Sequence, residues 1–274
     1  MGGLSGLSGL RGLSGLTAKP VVASGFDPDA QAFFTSANIT DATQQNAVNA
    51  LVIGLKANGT WSKHQAIYPF VGGTALQHSF NLKDPATFQI VWGGTVTHNA
   101  NGITGNGSTG YGDTGYTPSI SATLGSNSIS LYCRTAKAAL TTVEMGCQAT
   151  GEWGLALRYP TTVFFPMLQG TSSQYPGATL AATTGWILAS RNNTTTIQGY
   201  RNGSVVVDSA QTQSSLTNMN APISVLASRQ GAGWNRFSPV NLASVSIGLG
   251  LTAGEITADY TTIQAFQTAL GRQV

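Results

Sequence analysis

The sequence predicts a mainly β fold, an antiparallel sandwich of two packed sheets with few helices. From Trp61 onward, short segments rich in Val, Ile, Thr and aromatic residues recur between Gly, Asn and Pro, as strands do between turns. Ile129, Leu131 and Cys133 alternate with polar residues, which is typical of a strand with one face in a core. The pair Asn202–Gly203 between two such segments is a strong β-hairpin signal, because a type I′ turn needs two residues that tolerate positive φ.

The chain begins with a strict three-residue repeat of Gly and Leu, which places leucines at Leu4, Leu7, Leu10, Leu13 and Leu16. Period three matches a polyproline II or collagen-like helix, in which fifteen residues would reach roughly 45 Å, although the proline of collagen is missing. We predict that residues 1–19 form an anchor or oligomerising stem that inserts its leucines into another protein. A flexible linker is the alternative.

Residues 20–60 are predicted to form a helical hairpin. Asp27 followed by Pro28 is typical of an N-cap and a first helical position. A second helix is predicted to begin at Thr40 and to end at Asn58. Two short helices cannot bury both their faces alone, so we expect them to dock on the sandwich or on a neighbouring subunit.

The predicted sandwich occupies residues 61–274. Outside the central segment described next, its strands are predicted at Gln65–Val71, Gln77–Asn81, Phe88–Thr97, Tyr111–Thr114, Ser128–Thr135, Thr142–Gln148, Gly154–Tyr159, Val163–Met167, Ile223–Arg229 and Asn241–Leu249. The Gly-rich run 102–115 is interpreted mainly as a loop, since it precedes strands rather than a helix and so does not suit a phosphate.

Three consecutive strands are predicted in residues 186–208. The turn at Asn202–Gly203 sets Tyr200 opposite Val205. A second tight turn, at Asn192 and Asn193, would set Trp186 opposite Gly199, where the missing side chain would leave room for the indole. The polar residues at these turns are interpreted as hairpin-edge residues: Arg191, Arg201 and Asn202.

The cysteines and histidines do not predict a metal site. Cys133 and Cys147 are expected to point into the core from neighbouring strands, either as buried thiols or as a disulfide. Their spacing lacks the paired CxxC pattern of zinc sites. His64, His78 and His98 fall on separate predicted segments without an HxH or HExxH spacing, so we interpret them as surface or structural residues.

The chain ends in a predicted helix at about 253–270. Thr252 and Glu255 form a capping box, and Gly271 closes the helix. The apolar stripe that should face the sheet consists of Ile256, Tyr260, Ile263, Phe266 and Leu270.

Two resemblances sharpen these expectations. An apolar strand ending in Arg, a strand ending in YRNG and a valine strand resemble the central meander of laminin-G-like, concanavalin-A-like jelly rolls. The passages FDPDAQAFF, NALVIGLKANGTWSKHQAIYPFVGG, FNLKDP, GNGSTGYGDTGYTP, SIGLGLTAGEI and IQAFQTALGRQV resemble a module of bacteriophage structural proteins, over residues 26–274. The resemblance implies a tail fibre, head fibre or decoration protein, with an N-terminal helical hairpin and a C-terminal helix around the sandwich.

The residues favour a non-enzymatic role. Retaining glycosidases on this sandwich carry an ExDxxE signature on one strand, and the chain has none. Glu144 has the opposite parity to Val143 and Met145, so we expect it to point outward. A GxSxG nucleophile elbow and a P-loop are also absent from the sequence.

No cofactor is predicted, and calcium is the alternative, without a motif that supports it. Lectin-like sandwiches often bind calcium through Asp, Asn and backbone carbonyls at one edge. Asp113 lies in a segment that matches the module's strand entry rather than a calcium motif, so we interpret it as structural.

The loop Gln230–Pro239 is the predicted contact with a receptor or glycan. It places Trp234, Asn235 and Arg236 in a Gly-rich setting, where an aromatic ring can stack on a sugar and Arg can supply forked donors. Tyr175, in another predicted loop, is a further candidate. The alternative is that Trp234 and its neighbour Phe237 only close the edge of the sandwich.

The charge content of the chain limits the classes of partner that we expect. Charged residues make up 8 % of the chain, against about 25 % in an average domain, and the net charge is +3 without a Lys/Arg run. We therefore expect no nucleic-acid partner. The sequence has no apolar run long enough for a transmembrane helix and no apparent secretory signal.

These observations predict a non-enzymatic phage virion protein. The stem would attach it to other virion proteins, and the lectin-like sandwich would be displayed for attachment to a host receptor or glycan. A purely structural capsid or tail decoration or cement protein is the alternative. We expect a homo-oligomer, with a trimer as the specific prediction.

Overall fold

The computed structural model describes residues 2, 25–149, 151–168, 176–213 and 215–274. The predictions for the Gly-Leu stem, Leu4, Leu7, Leu10, Leu13 and Leu16 included, lie outside these residues. The division of the chain at residues 19 and 60 stays a prediction.

The helices of the described residues are α1 (Pro28–Ala37), α2 (Ala42–Ala57), α3 (Ala75–Ser79), α4 (Pro118–Ser121) and α5 (Ala253–Ala269), with a 3-10 turn at Trp61–Lys63. Their ends follow from local chemistry. Asp27 accepts a hydrogen bond from the N–H of Asp29 at the start of α1, and Pro28 occupies the first turn. Asp41, one residue after the predicted Thr40, caps α2. Thr252 and Glu255 form the predicted capping box of α5.

The strands are β1 (His64–Tyr68), β2 (Val91–Gly93), β3 (Val96–Asn99), β4 (Gly102–Gly105), β5 (Tyr111–Asp113), β6 (Asn127–Cys133), β7 (Met145–Gln148), β8 (Glu152–Ala156), β9 (Val163–Leu168), β10 (Ala178–Thr179), β11 (Gly185–Arg191), β12 (Thr196–Arg201), β13 (Ser204–Ala210), β14 (Ser224–Val225), β15 (Ser228–Gln230), β16 (Gly233–Asn235) and β17 (Asn241–Gly248).

Within the described residues, these strands form two sheets. The first sheet has the order β13-β12-β11-β6-β17-β4-β3, with β1 also paired to β17. The second has the order β10-β9-β8-β7-β14-β5-β2, with the β15-β16 hairpin beside β7. Alternate residues of both sheets meet in one buried core, for example Leu131 and Ile187 from the first and Trp153 and Leu155 from the second. The predicted mainly β sandwich with a C-terminal helix is confirmed.

The helices cover the outer face of the first sheet. Residues of the opposite parity, including Tyr132 and Trp186, share a second buried cluster with α1, α2 and α5. The packing is reinforced by Asp259 of α5, which is fully buried and bonds to Thr60 at 2.6 Å and to Asn58 at 3.0 Å. The first sheet is therefore buried on both faces, and the second sheet keeps a face for other contacts.

The turn residues predict the strand register of the β12-β13 hairpin correctly but not that of the β11-β12 hairpin. Tyr200 lies opposite Val205 as expected, with Asn202 and Gly203 both at positive φ. The other predicted register is wrong, because Gly199 lies opposite Ala189 rather than Trp186. The reason is a longer loop, in which the Asn193 side chain accepts N–H bonds from Thr195 and Thr196.

Two further elements differ from expectation. The predicted strand at Gln77–Asn81 is wrong, because Thr74 caps the helix α3 through the N–H of Gln77. Gly102–Gly105 is a strand rather than a loop. A Cβ at Gly102 would lie 2.1 Å from the carbonyl oxygen of Leu242, so glycine permits this close strand approach.

The two cysteines are free thiols in the core, on facing sheets rather than on neighbouring strands. Burial raises the pKa of Cys133 to about 12 and the pKa of Cys147 still further, so both remain protonated and unreactive. Arg191 is not an exposed hairpin-edge residue. It is 1 % exposed and donates to the carbonyl oxygens of Leu168 and Gln211, which ties the two sheets together.

Candidate binding site

A hollow lies on the outer face of the second sheet. Leu155 and Phe164 point into the main core, so their neighbours Ala156 and Phe165 face outward. Ala156, with its small side chain, lines a space of about 160 Å³ that Val143 and Met167 also border. The hollow is therefore lined by outward-facing residues of β8 and β9 and by residues of the adjoining loops.

Arg236 and Glu152 form a charged pair at one end of this hollow. The Arg236 Nη1 donates to Glu152 Oε1 at 2.7 Å, with side-chain exposures of 23 % and 9 %. The Arg236 guanidinium also lies 5.1 Å from the ring centroid of Tyr159. Arg236 has a φ of 53°, and its carbonyl accepts the N–H of Val143 at 2.8 Å, so the backbone of this loop is tied to the sheet.

A second, more polar cavity adjoins the hollow and shares Tyr159 and Arg236 with it. Its volume is about 450 Å³, and its other lining residues are Gly107, Ser108, Thr141, Thr142 and Phe237. The Asn106 side chain accepts the N–H groups of Ser108, Thr109 and Gly110, which holds this loop in shape. We call the hollow and this cavity together the Arg236 groove.

A buried ion pair supports the groove from below. Lys137 Nζ lies 2.7 Å from Glu144 Oε1, and both side chains are fully buried. Lys137 also donates to the carbonyl of Thr142, a groove residue, at 3.0 Å. Glu144 is expected to point outward, and its carboxylate is fully buried, because Ser238 and the N–H of Leu157 also donate to it.

The residues predicted for ligand contact do not lie together. Arg236 lines the groove, whereas the Trp234 ring stacks on Tyr111 with centroids 3.7 Å apart, beneath the Arg229 guanidinium. The indole N–H donates to Ser224 at 2.8 Å. This packing agrees with the alternative in which Trp234 closes the sandwich edge, and its contact with a ligand stays a prediction.

Of the other two candidates, Asn235 and Tyr175, the structure describes only Asn235. Asn235 donates from Nδ2 to Gln230 across the β15-β16 hairpin. Tyr175 lies outside the described residues. Asp113 accepts from the N–H of Gly115 and pairs with Arg229 at 3.2 Å, so its carboxylate already has protein partners. Calcium binding stays untested.

The fold brings together two histidines that the sequence leaves apart. His78 Nδ1 and His98 Nδ1 lie 3.1 Å apart, and His78 is 1 % exposed. Burial, followed by His98 and Arg272, lowers the pKa of His78 to about 3, and burial also lowers the pKa of His98. A group of three or more His, Cys, Asp or Glu side chains suited to a metal does not occur among the described residues.

Several groove residues carry no signal that sequence reasoning can detect. Glu152, Tyr159 and Phe165 come from different strands and loops, and only the pairing of β7, β8 and β9 places them around one hollow. The alternation of Phe164, Phe165 and Met167 could have indicated a strand with apolar residues on both faces.

The described residues include no helix that is long and apolar enough to span a bilayer.

No protein-family model matches the chain, and no curated protein matches it. Similar solved structures exist. Domain 4 of the extracellular arabinanase AbnA from Geobacillus stearothermophilus, in complex with arabinotriose, is 16 % identical with a TM-score of 0.53, and the match covers 71 % of this chain and 97 % of that domain.

The sialidase of Trypanosoma rangeli, in complex with a difluorinated KDN, is 9 % identical with a TM-score of 0.53. The match covers 79 % of this chain and 39 % of the sialidase, so the chain spans well under half of that enzyme. At these identities the likeness shows a shared fold, which is the β-sandwich architecture described above.

Proposed function

We propose that this protein is a non-enzymatic glycan-binding protein and that the Arg236 groove is its binding site. The observation that carries the proposal is a groove with one apolar and one polar compartment, both lined by Tyr159 and Arg236. A sugar ring offers the matching surfaces, since its C–H groups pack on aromatic rings and its hydroxyl groups bond to polar side chains. The arabinotriose complex of the arabinanase domain is consistent with this use of the sandwich.

The carboxylates support binding rather than hydrolysis. Glycoside hydrolysis canonically needs two carboxyl groups that both reach the scissile bond. Glu144 is fully buried against Lys137 and cannot touch a ligand, and Glu152 is the one carboxylate among the residues that line the hollow. Glu152 is also held by Arg236 at 2.7 Å.

We propose that the protein is displayed on a bacteriophage virion. Its support is the resemblance of residues 26–274 to phage structural modules, together with the Gly-Leu repeat as a means of attachment. Immunogold electron microscopy of particles carrying this protein tests the location. Failure to find the protein in any particle would remove the virion from the proposal without affecting the groove.

Arg236→Ala tests the binding site. We expect glycan binding to weaken about tenfold to a hundredfold, because hydrogen bonds from a charged donor contribute about 1.5 to 3 kcal/mol. The measurement is a glycan array followed by calorimetric titration of the full chain. Arg201→Ala is the matched control, because Arg201 lies on the first sheet, where its Nε bonds to the carbonyl of Thr184.

The same array separates the alternatives. Binding that survives Arg236→Ala but is lost with Trp234→Ala, in a protein that remains folded, would move the site to the β15-β16 hairpin. If the wild-type protein bound no glycan at all, the purely structural role as a decoration or cement protein would be favoured instead.

A further inference from the structure

We propose that the Arg236 groove selects sugars that carry an acetamido group, the N-acetylated amino sugars, over sugars that carry only hydroxyl groups. This inference rests on the proposed function and specifies its ligand class. It follows from the arrangement of one apolar hollow beside one donor and one acceptor.

The hollow is too apolar for a hydroxyl group. Its walls are formed by side chains without polar atoms, Val143, Ala156, Pro160, Phe165 and Met167, together with Tyr159. A hydroxyl group placed against these walls, out of reach of Glu152 and Arg236 at the end of the hollow, would lose its bonds to water without replacement. A methyl group, by contrast, gains from leaving water, and a space of about 160 Å³ has room for an acetyl group.

The charged pair at the end of the hollow supplies the polar half of an amide recognition site. An acetamido group has one N–H donor and one carbonyl acceptor, held in a planar unit. Glu152 offers carboxylate oxygens that accept an N–H, and Arg236 carries five N–H donors, of which the ion pair uses a contact through Nη1. Glu152 can therefore accept the amide N–H, and the remaining N–H groups of Arg236 can donate to an oxygen of the same sugar, while the ion-pair contact remains.

The positions of Glu152 and Arg236 are held by contacts with the surrounding structure. Glu152 lies on β8, and Arg236 is held by its backbone bond to Val143 and by the Tyr159 ring. A preorganised donor and acceptor lose little conformational entropy on binding. The polar cavity, with Ser108, Thr141 and Thr142, would then face the remaining hydroxyl groups of the sugar.

The ligand charge is also constrained. Because Glu152 already neutralises Arg236, the groove has no unpaired cation of its own at this point. A neutral acetamido group satisfies both partners. A free ammonium at the same carbon could also donate to Glu152, but it would lie beside the Arg236 guanidinium and would leave the hollow unfilled, because it has no methyl group. The groove should therefore disfavour the de-N-acetylated amino sugar.

Matched sugar pairs test the inference on the full chain. The probes are the methyl glycosides of N-acetylglucosamine and glucose, and of N-acetylgalactosamine and galactose, which differ within each pair only at carbon 2. We expect the acetamido member to bind at least about tenfold more tightly, since a well-fitted apolar group in a pocket discriminates to that extent. Saturation-transfer NMR titration gives both the affinity and the contact map, in which the acetyl methyl should show the strongest transfer.

Two variants locate the effect. Ala156→Leu fills the hollow and should remove the preference for the acetamido member within each pair. Met167→Ala enlarges the hollow and should shift the preference toward an N-propionyl sugar. The second variant keeps the test decisive if the first fails to fold.

The outcomes separate this inference from the proposed function. Equal affinity within both pairs, with binding still lost in Arg236→Ala, would overturn the acetamido preference and retain glycan binding. If none of the four glycosides bound while array glycans without acetamido groups did, the inference would also fail. The absence of any glycan binding would overturn both.

Discussion

Lys137 and Glu144 place two opposite charges in a site with no exposure, beneath the polar half of the Arg236 groove. Removing charges from water is costly, and the pair offsets this through its mutual contact and through bonds to Thr142, Ser238 and the N–H of Leu157. Each residue therefore depends on the other, because either one alone would be a buried unpaired charge.

Lys137→Met is expected to lower the free energy of unfolding by about 3 to 5 kcal/mol, because it leaves the Glu144 carboxylate buried without its cation. The double variant Lys137→Met, Glu144→Met should lose less than the sum of the two single variants. Urea unfolding followed by tryptophan fluorescence measures all three proteins.

Lys56→Met is the control for this cycle. Lys56 pairs with Asp27 and Asp29, but its side chain is 35 % exposed, and such surface pairs contribute about 0 to 1 kcal/mol. A large loss in the control, or single-variant effects at Lys137 and Glu144 that simply add, would show that the buried pair is not coupled as described.

At the scale of elements, the close packing of the two sheets depends on a glycine in the central hairpin. Gly199 lies on β12, and a Cβ there would lie 2.6 Å from a ring carbon of Phe164 on β9. Phe164 is fully buried in the main core, so its ring has little room to move. The missing side chain thus accommodates Phe164 of the facing sheet, and not Trp186 of the neighbouring strand.

Gly199→Ala should therefore destabilise the protein by about 1 to 3 kcal/mol through overpacking. Gly254→Ala is the matched control, since Gly254 lies in α5 with open space around its Cβ position. There the same substitution should stabilise the helix by up to about 1 kcal/mol. Thermal unfolding of both variants measures the difference, and a neutral Gly199→Ala would contradict the proposed contact.

The local chemistry of the elements explains which predictions hold. The Asn202–Gly203 turn and the capping box at Thr252 depend on residues that are adjacent in sequence, so they could be predicted. The β11-β12 register could not, because the Asn193 side chain lengthens its loop through bonds to Thr195 and Thr196.

At the scale of the whole molecule, His78 links three distant parts of the chain. It lies on α3 and contacts His98 on β3, and the positive charge of Arg272 near the C-terminus lowers its pKa. Arg272 is itself buried, where it donates to the carbonyl oxygens of Pro69 and Phe70. This cluster has no carboxylate among these partners, so a proton added to His78 would meet only neutral and positive groups.

The protein should consequently lose stability in mild acid. Burial lowers the folded pKa of His78 to about 3 from its ordinary value of 6.5, so its contribution to stability is present above about pH 6.5 and is lost as the pH falls toward 3. Between pH 8 and pH 5 the loss from this group should reach about 2 kcal/mol. His78→Gln should flatten the dependence of unfolding free energy on pH over this range. If the slope of unfolding free energy against pH were the same in this variant as in the wild type, His78 would not be the cause.

In the candidate site, the sequence predicts Arg236 as a contact residue but not the residues that surround it. Glu152 and Tyr159 lie more than seventy residues earlier in the chain, and no spacing relates them to Arg236. Parity also predicted that Glu144 would point outward, yet its carboxylate is fully buried against Lys137. The alternation of side chains predicts the face of a strand on which a residue lies, but it does not predict what packs against that face.

By itself, the sequence determined the mainly β class, the central hairpin at Asn202–Gly203 and the capped helices, because turn, cap and alternation signals act between residues close in the chain. Tertiary structure alone decided that the helices cover the first sheet, which leaves the outer face of the second sheet for the Arg236 groove. It also decided the partners of Lys137, His78 and Arg236, since these contacts join residues that only the pairing of strands brings within reach.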